Sequence, residues 1–378
     1  MDHVTLLCEL VRIESVNPDL VPGAPGEENV ARFVAERLRE WGLEVEIEYA
    51  APGRPNVIGT VRGRGVGPSL MLNAHMDTVG AGEMADPFNP RVEGSRLYGR
   101  GSYDMKGSLA SVMLAARELA KDPPAGDVIV AAVCDEEYAS IGTAAIVAGR
   151  RADAAIVTEP TALDVCVAHK GFVWFEIESR GVAAHGSRPD IGVDAIARMG
   201  RVLTGIEQLG ETLRSGRAHP LLGTGSIHAS IIAGGRELST YPEQCRLAVE
   251  RRTVPGERIE DAANQLREIL RAAESTDPRS GFSLSTGLVR PPFEVAADEP
   301  VVSVLCSEIA RRKGAAPRIY GETPWFDAAL FAAAGIPCVI FGPGGGGAHA
   351  AVEWSDLDQV EQCSEILVEV ARAFCRAR

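Results

Sequence analysis

The chain has 378 residues, two to three times the common domain size, so more than one folded unit is expected. Hydrophobic residues make up 46% and charged residues 24%, which supplies a sizeable core and excludes a disordered chain. A formal charge of −14 disfavours phosphate backbones and anionic lipid, so neither nucleic acid nor a membrane is expected as a partner.

No run approaches the roughly 18–20 apolar residues of a membrane span. Met1-Asp2-His3-Val4 has no basic region and no long apolar run follows it, so no signal peptide is expected. The 8 cysteines are scattered and none forms a C-x-x-C pair. They read as buried free thiols in a reducing cytosol, and a cytoplasmic location is expected.

In chain order, residues 27–41 place Val30, Phe33, Val34, Leu38 and Trp41 on one helical stripe closed by Gly42. Leu43, Val45, Ile47 and Tyr49 alternate with acids as a half-exposed strand. Buried strands are expected at 56–61, 69–74, 128–134 and 154–158, with a helix at 106–120 between the second and third. Alternating strands and helices argue for an α/β layered sheet with ligand-bearing residues at the carboxyl ends of its strands. The middle of the chain differs: strand 172–179, helix 193–209, strands 226–233 and 245–251, helix 258–273 and strand 282–288 suit a small α+β sandwich. After Pro291-Pro292 the α/β style returns, with helices at 300–313 and 324–334, a strand at 337–341 and a last helix from Asp356. The expected organisation is a discontinuous α/β domain, 1–170 and 289–378, with an α+β sandwich at 171–288 inserted into it.

Acids and histidines follow the apolar strand-like runs. His75 and Asp77 stand at the end of one, and Asp104 lies in the glycine-rich turn 99–107 before a helix. Asp135-Glu136-Glu137, Glu159 and, after the glycine run 342–347, His349 follow others. Any one of them is open to being a helix cap, a loop acid or a surface histidine. Together, nitrogen and oxygen donors converging at strand ends are what a zinc-type site needs. Two ions about 3.5–4 Å apart share a water, acidify it and polarise a carbonyl. A further carboxylate held off the metals can take the proton, and Glu136 and Glu137 offer one base and one ligand.

These stretches, with Ser15-Val-Asn-Pro18 and others between it and Glu353, resemble the acetylornithine deacetylase / succinyl-diaminopimelate desuccinylase / carboxypeptidase G2 group of di-zinc metallohydrolases. The resemblance implies a zinc-peptidase-like catalytic domain, a mixed sheet flanked by helices, with the inserted segment as a lid and dimerisation domain. It implies two Zn²⁺ per subunit, replaceable by Co²⁺ or Mn²⁺. Asp104 would bridge the ions, His75 and Glu159 completing one and Glu137 and His349 the other. Glu136 would be the general base, and Asp77 would orient His75. In the segment 184–195, His185 would reach the partner subunit's active site in a homodimer and stabilise the tetrahedral oxyanion. In Glu250-Arg-Arg252-Thr-Val-Pro255, Arg252 is a candidate grip for a substrate carboxylate, with a strand-edge salt bridge as the competing reading. Where members of the group commonly carry Asn, this chain has Ser239, a shorter hydroxyl that changes substrate or oxyanion contacts.

The expected activity is cleavage of the amide bond of an N-acyl amino acid by a two-metal-activated water. The alternative is a metallo-carboxypeptidase or dipeptidase acting on a short peptide. Two other classes compete poorly. A phosphate-binding α/β protein lacks the G-x-x-x-x-G-K-[ST] loop, and a serine hydrolase lacks G-x-S-x-G. An inactive ligand-binding relative is disfavoured because all five expected ligands and Glu136 are present.

Overall fold

The computed structural model describes residues 1–275, 279 and 281–377. The chain folds as two compact units. The first joins Met1–Val167, Val295–Tyr320 and the chain from Phe326 onward; the second joins Ala168–Glu294 and Gly321–Trp325.

The first unit is built on a mixed sheet. Glu44–Ala51 pairs antiparallel with Arg54–Val61, which pairs antiparallel with Val128–Val133. Val128–Val133, Leu70–His75, Ala154–Val157 and Cys338–Ile340 then lie side by side, all parallel. The last three of these are buried at every residue, the pattern of interior parallel strands covered on both faces. Glu44–Ala51, at the edge, stays partly exposed. Parallel strands end on the same side of a sheet, so the loops after His75, Val133, Val157 and Ile340 leave from one edge.

Helices Glu28–Glu40, Gly107–Lys121 and Leu357–Phe374 supply much of the core around this sheet, with Val34, Leu38, Leu109, Val112, Met113, Ile366 and Leu367 fully or almost fully buried. Helix His3–Arg12 adds Leu6, Leu7 and Leu10 and is capped by the Asp2 side chain, which accepts from the Thr5 amide. A small second sheet in this unit orders Gly345–Gly346, Trp354–Asp356, Arg96–Tyr98 and Arg91–Glu93, and draws the end of the glycine run toward the Asp104 turn.

The second unit is a four-stranded antiparallel sheet ordered Ser226–Gly234, Gln244–Thr253, Gly171–Arg180, Gly281–Arg290. Gly171–Arg180 alternates between buried and more exposed residues. Its Val173, Phe175 and Ile177 pack with Leu247 and Val249 against Met199, Val202, Leu266 and Leu270 of helices Ala195–Ser215 and Ile259–Ser275. This is the strand–helix–strand–strand–helix–strand order of an α+β sandwich.

Two local expectations need correction. The helix expected at 324–334 spans only Ala328–Ala333. Pro324 disfavours helical backbone at Thr323, and the Asp327 carboxylate does not cap the helix but accepts from Thr143 Oγ1 at 2.5 Å. The helix expected at 193–209 begins at Ala195 and continues to Ser215, its Asp194 cap accepting from the Ala197 amide.

Candidate metal centre

His75 is the last residue of an interior strand, and its ring is almost wholly buried. Its Nδ1 lies 2.9 Å from the Asp77 carbonyl oxygen. Its Nε2 lies 3.1 Å from Asp104 Oδ1 and 3.9 Å from Glu159 Oε1; with an ion bound, donation from Nδ1 to the carbonyl would leave the Nε2 lone pair for the metal. The other Asp104 oxygen, Oδ2, lies 3.4 Å from His349 Nε2, and that nitrogen lies 3.1 Å from Glu137 Oε2. Two donor sets result, His75–Asp104–Glu159 and Asp104–Glu137–His349, each with its ligand atoms within 4.8 Å of one another. Asp104 belongs to both and turns one oxygen to each.

Buried polar bonds hold the turn that carries Glu136 and Glu137. Asp77, fully buried, accepts from the Glu136 amide through Oδ1 at 3.1 Å and from the Glu137 amide through Oδ2 at 3.2 Å. Asn17 Nδ2 donates to both Asp77 (2.8 Å) and Asp135 (2.9 Å). Arg54 donates to Asp135 at 2.7 Å and to both oxygens of Glu27 at 2.9 and 2.8 Å, and also pairs with Asp19. The Asp135 amide in turn donates to Glu27 Oε1 at 3.1 Å. Asp135 has φ +67°, a left-handed conformation that costs a non-glycine residue of order 1–3 kcal/mol and persists where the surroundings over-determine it. No strand-end or metal-ligand pattern marks Arg54 or Glu27 in the sequence; Asp135 does follow a strand, but only the structure shows that it supports the turn rather than offering a ligand. Asn17 was quoted only as part of a motif.

The charges crowd one another. Burial pulls the His75 pKa down, but the bond to Asp104 and the fields of Glu159, Asp77 and Glu136 outweigh it and raise it. Burial pushes Asp104 up, yet bonds from His349 and His75 hold it well below the usual carboxylate range. Bonds to Asp104 and Glu137 raise His349 to about 10, and burial with the neighbouring Asp104 charge raises Glu137 to about 7. Burial also raises Glu136 and Glu159, and brings Asp327 to about 6. Such a cluster of acids is relieved by a cation. Glu137 Oε1 is moreover buried with no hydrogen-bond partner, an acceptor left for a ligand. The imidazole and carboxylate donors therefore fit two divalent ions.

Glu136 falls in neither donor set, but Glu159, His75, Asp327 and Glu137 all act on its charge. In the second unit, His185 Nδ1 lies 2.8 Å from Ser187 Oγ, and the His185 backbone forms a bridge with Thr240. The Gly186 amide donates to the Ser239 carbonyl at 2.7 Å, so His185 and Ser239 sit on adjoining backbone. Arg252 lies on an interior strand; its Nε donates to Glu250 at 2.6 Å and its guanidinium covers the Phe172 ring at 4.9 Å. Trp325 is taken up by packing: Nε1 donates to the Pro291 carbonyl at 3.0 Å, and Arg290 covers the ring at 5.0 Å.

Residues 71–373 match the family described as Peptidase family M20/M25/M40. The chain belongs to that family. It is a hydrolase of amide or peptide bonds, as the family's deacylases and peptidases are. An N-formyl-4-amino-5-aminomethyl-2-methylpyrimidine deformylase from Bacillus subtilis (strain 168) is 30% identical, aligned over 99% of this chain and 96% of its own length. An acetylornithine deacetylase from Vibrio cholerae serotype O1 is 28% identical over 93% of this chain and 92% of its own. The fold is shared with an M20 family metallo-carboxypeptidase from Sulfolobus solfataricus, at a TM-score of 0.79, 17% identity and 99% coverage of each chain. Among the described residues, no helix is long and apolar enough to cross a membrane.

Proposed function

We propose that this M20-family hydrolase removes the acyl group from a small N-acyl amino acid, with two divalent ions, natively Zn²⁺, held by His75, Asp104 and Glu159 and by Asp104, Glu137 and His349. The observation that carries the reading is Asp104, whose two oxygens each face a different histidine and so suit a bridging ligand. The two relatives are named for removing small acyl groups, which favours deacylation over the carboxypeptidase or dipeptidase alternative. Co²⁺ or Mn²⁺ would replace Zn²⁺ in the same nitrogen and oxygen donor set.

Bound there, the ions would acidify a water and polarise the scissile carbonyl. Every other step falls to the chain. Glu136, free of both donor sets, takes the proton of the attacking water and returns it to the leaving nitrogen. Burial and the Glu159 charge raise its proton affinity, which suits a group that must hold the proton between the two transfers. Asp77 accepts from the amides of Glu136 and Glu137 and thereby sets their turn, while His75 is held by the carbonyl of the same residue. In the second unit, His185 is the proposed donor to the oxyanion, acting in the partner subunit of a homodimer formed through this unit, with Ser239 beside it. Arg252 is the proposed grip for the substrate carboxylate, which would take the place of Glu250. A cytoplasmic location is part of the same proposal, supported by eight free cysteines.

The test is turnover of a panel of N-formyl, N-acetyl and N-succinyl amino acids and dipeptides by chelator-stripped protein resupplied with Zn²⁺ or Co²⁺. Metal-dependent release of the free amino acid from one acyl class is expected. Turnover of dipeptides alone would move the assignment to the peptidase alternative.

A further inference from the structure

Glu353 is buried to 1% exposure, four residues after His349, and belongs to neither donor set. Its carboxylate accepts four hydrogen bonds. Oε1 takes the amides of Tyr103 (2.9 Å) and Asp104 (3.1 Å). Oε2 takes the amide of Gly101 (3.0 Å) and Arg100 Nη1 (2.7 Å). Three of the four donors are backbone groups of the turn that presents Asp104, one of them the amide of Asp104 itself.

The same carboxylate ties that turn to the loop carrying His349. Arg100 also donates from Nη2 to the Ala350 carbonyl at 3.0 Å, and the Gly99 amide donates to the Glu353 carbonyl at 3.2 Å. Both segments are shaped for close approach. Gly101 has φ +75°, and a Cβ there would fall 2.4 Å from Thr78 Cγ2; Gly347 has φ +81°, and a Cβ there would fall 1.9 Å from the Val352 carbonyl oxygen. His349 itself has φ +61°. Below the turn, Lys106 Nζ donates to the carbonyls of Leu10 (3.0 Å) and Ile13 (2.7 Å), which anchors its far end to the first helix.

We propose that Glu353 is a positioning residue for the metal centre: by gathering the amides of Gly101, Tyr103 and Asp104 it aims the two Asp104 oxygens at separate histidines and fixes the His349 loop against them. The proposal rests on the metal-centre reading of the site. A neutral amide at this position cannot replace the carboxylate, because its NH₂ would face two donors in place of an acceptor. Partners one step removed from a metal set its affinity, and losing one typically weakens binding by about 10–100-fold.

The experiment is titration of chelator-stripped protein with Co²⁺, followed by visible absorption and calorimetry, for the unmodified chain, Glu353→Gln, Glu353→Asp and Arg100→Met. Glu353→Gln should bind Co²⁺ about 10–100-fold more weakly than the unmodified chain, and Glu353→Asp, which keeps the charge, should recover part of the loss. Arg100→Met leaves the three amides their acceptor but removes the tie to the Ala350 carbonyl, so its Co²⁺ affinity should fall by less than that of Glu353→Gln while its stability falls. Equal Co²⁺ affinity in Glu353→Gln and the unmodified chain, or an equal loss in Arg100→Met, overturns the role of Glu353 and leaves the metal centre standing. No Co²⁺ binding by the unmodified chain overturns both. Should the variants fail to fold, hydrogen exchange on the unmodified metal-free chain decides. Slow exchange at the amides of 101, 103 and 104 before any metal is added supports the proposal, and fast exchange that slows only on loading refutes it.

Discussion

The two donor sets share Asp104 but are built differently. His75 ends one interior parallel strand and Glu159 follows another, and their side chains are 1% and 4% exposed. In the other set, Glu137 is nearly as buried, but His349 is 54% exposed and sits on a loop with positive φ, beside a sheet of two- and three-residue strands. One set is enclosed by the sheet and the other opens to solvent through its histidine. An enclosed set would hold an ion more firmly, and an open one would leave room for exchange and for a substrate carbonyl to approach. The Asp104 carboxylate belongs to both sets, so the difference is one of access more than of donor chemistry.

Asp104→Asn should break the comparison at its centre and have the largest effect. Both sets lose their shared charge, activity falls to background, and elemental analysis should find well under two ions per chain, where about two are expected for the unmodified chain. Retention of a full ion in the enclosed set would show that the sets are independent. Glu136→Gln should leave both ions bound and lower kcat by roughly 10²–10⁴, measured at saturating substrate. Near-normal turnover would remove Glu136 from proton transfer. His349→Ala should sharpen the contrast: the open set loses its ion while the enclosed one keeps about one per chain, and dialysis of the unmodified chain against a chelator should release metal in two phases. A single phase would contradict the difference in access. The smallest effect on chemistry is expected of Arg54→Met, which strips the buried acids Glu27 and Asp135 of their cation. It should cost about 3–5 kcal/mol in denaturant unfolding, the range for breaking a buried pair from one side. A loss under about 1 kcal/mol would make that network dispensable.

The enclosed set was the more legible part of the sequence. Residues 70–74, apolar but for Asn73, and Ala154–Val157 are strand-like runs, and the histidine or acid that comes after each stands out against them. The α+β insertion showed itself equally through alternation in Gly171–Arg180. What stayed hidden is held by contacts distant in sequence. Glu353 receives the amides of Gly101, Tyr103 and Asp104 from about 250 residues away, and Asp135 meets Arg54 across 81. Neither leaves a local period or spacing. The small sheet escaped notice because Gly345–Gly346 and Arg96–Tyr98 are too short to alternate visibly. Arg252 stands out for its chemistry, but a sequence does not disclose that Glu250 and Phe172 occupy it.

Elemental analysis of the chelator-stripped chain after reconstitution and gel filtration, paired with its activity, tests the shared carboxylate most directly. The account predicts about two divalent ions per chain, activity that rises with their return, and neither in Asp104→Asn. Full activity in the metal-free chain, or two ions retained without Asp104, would contradict it.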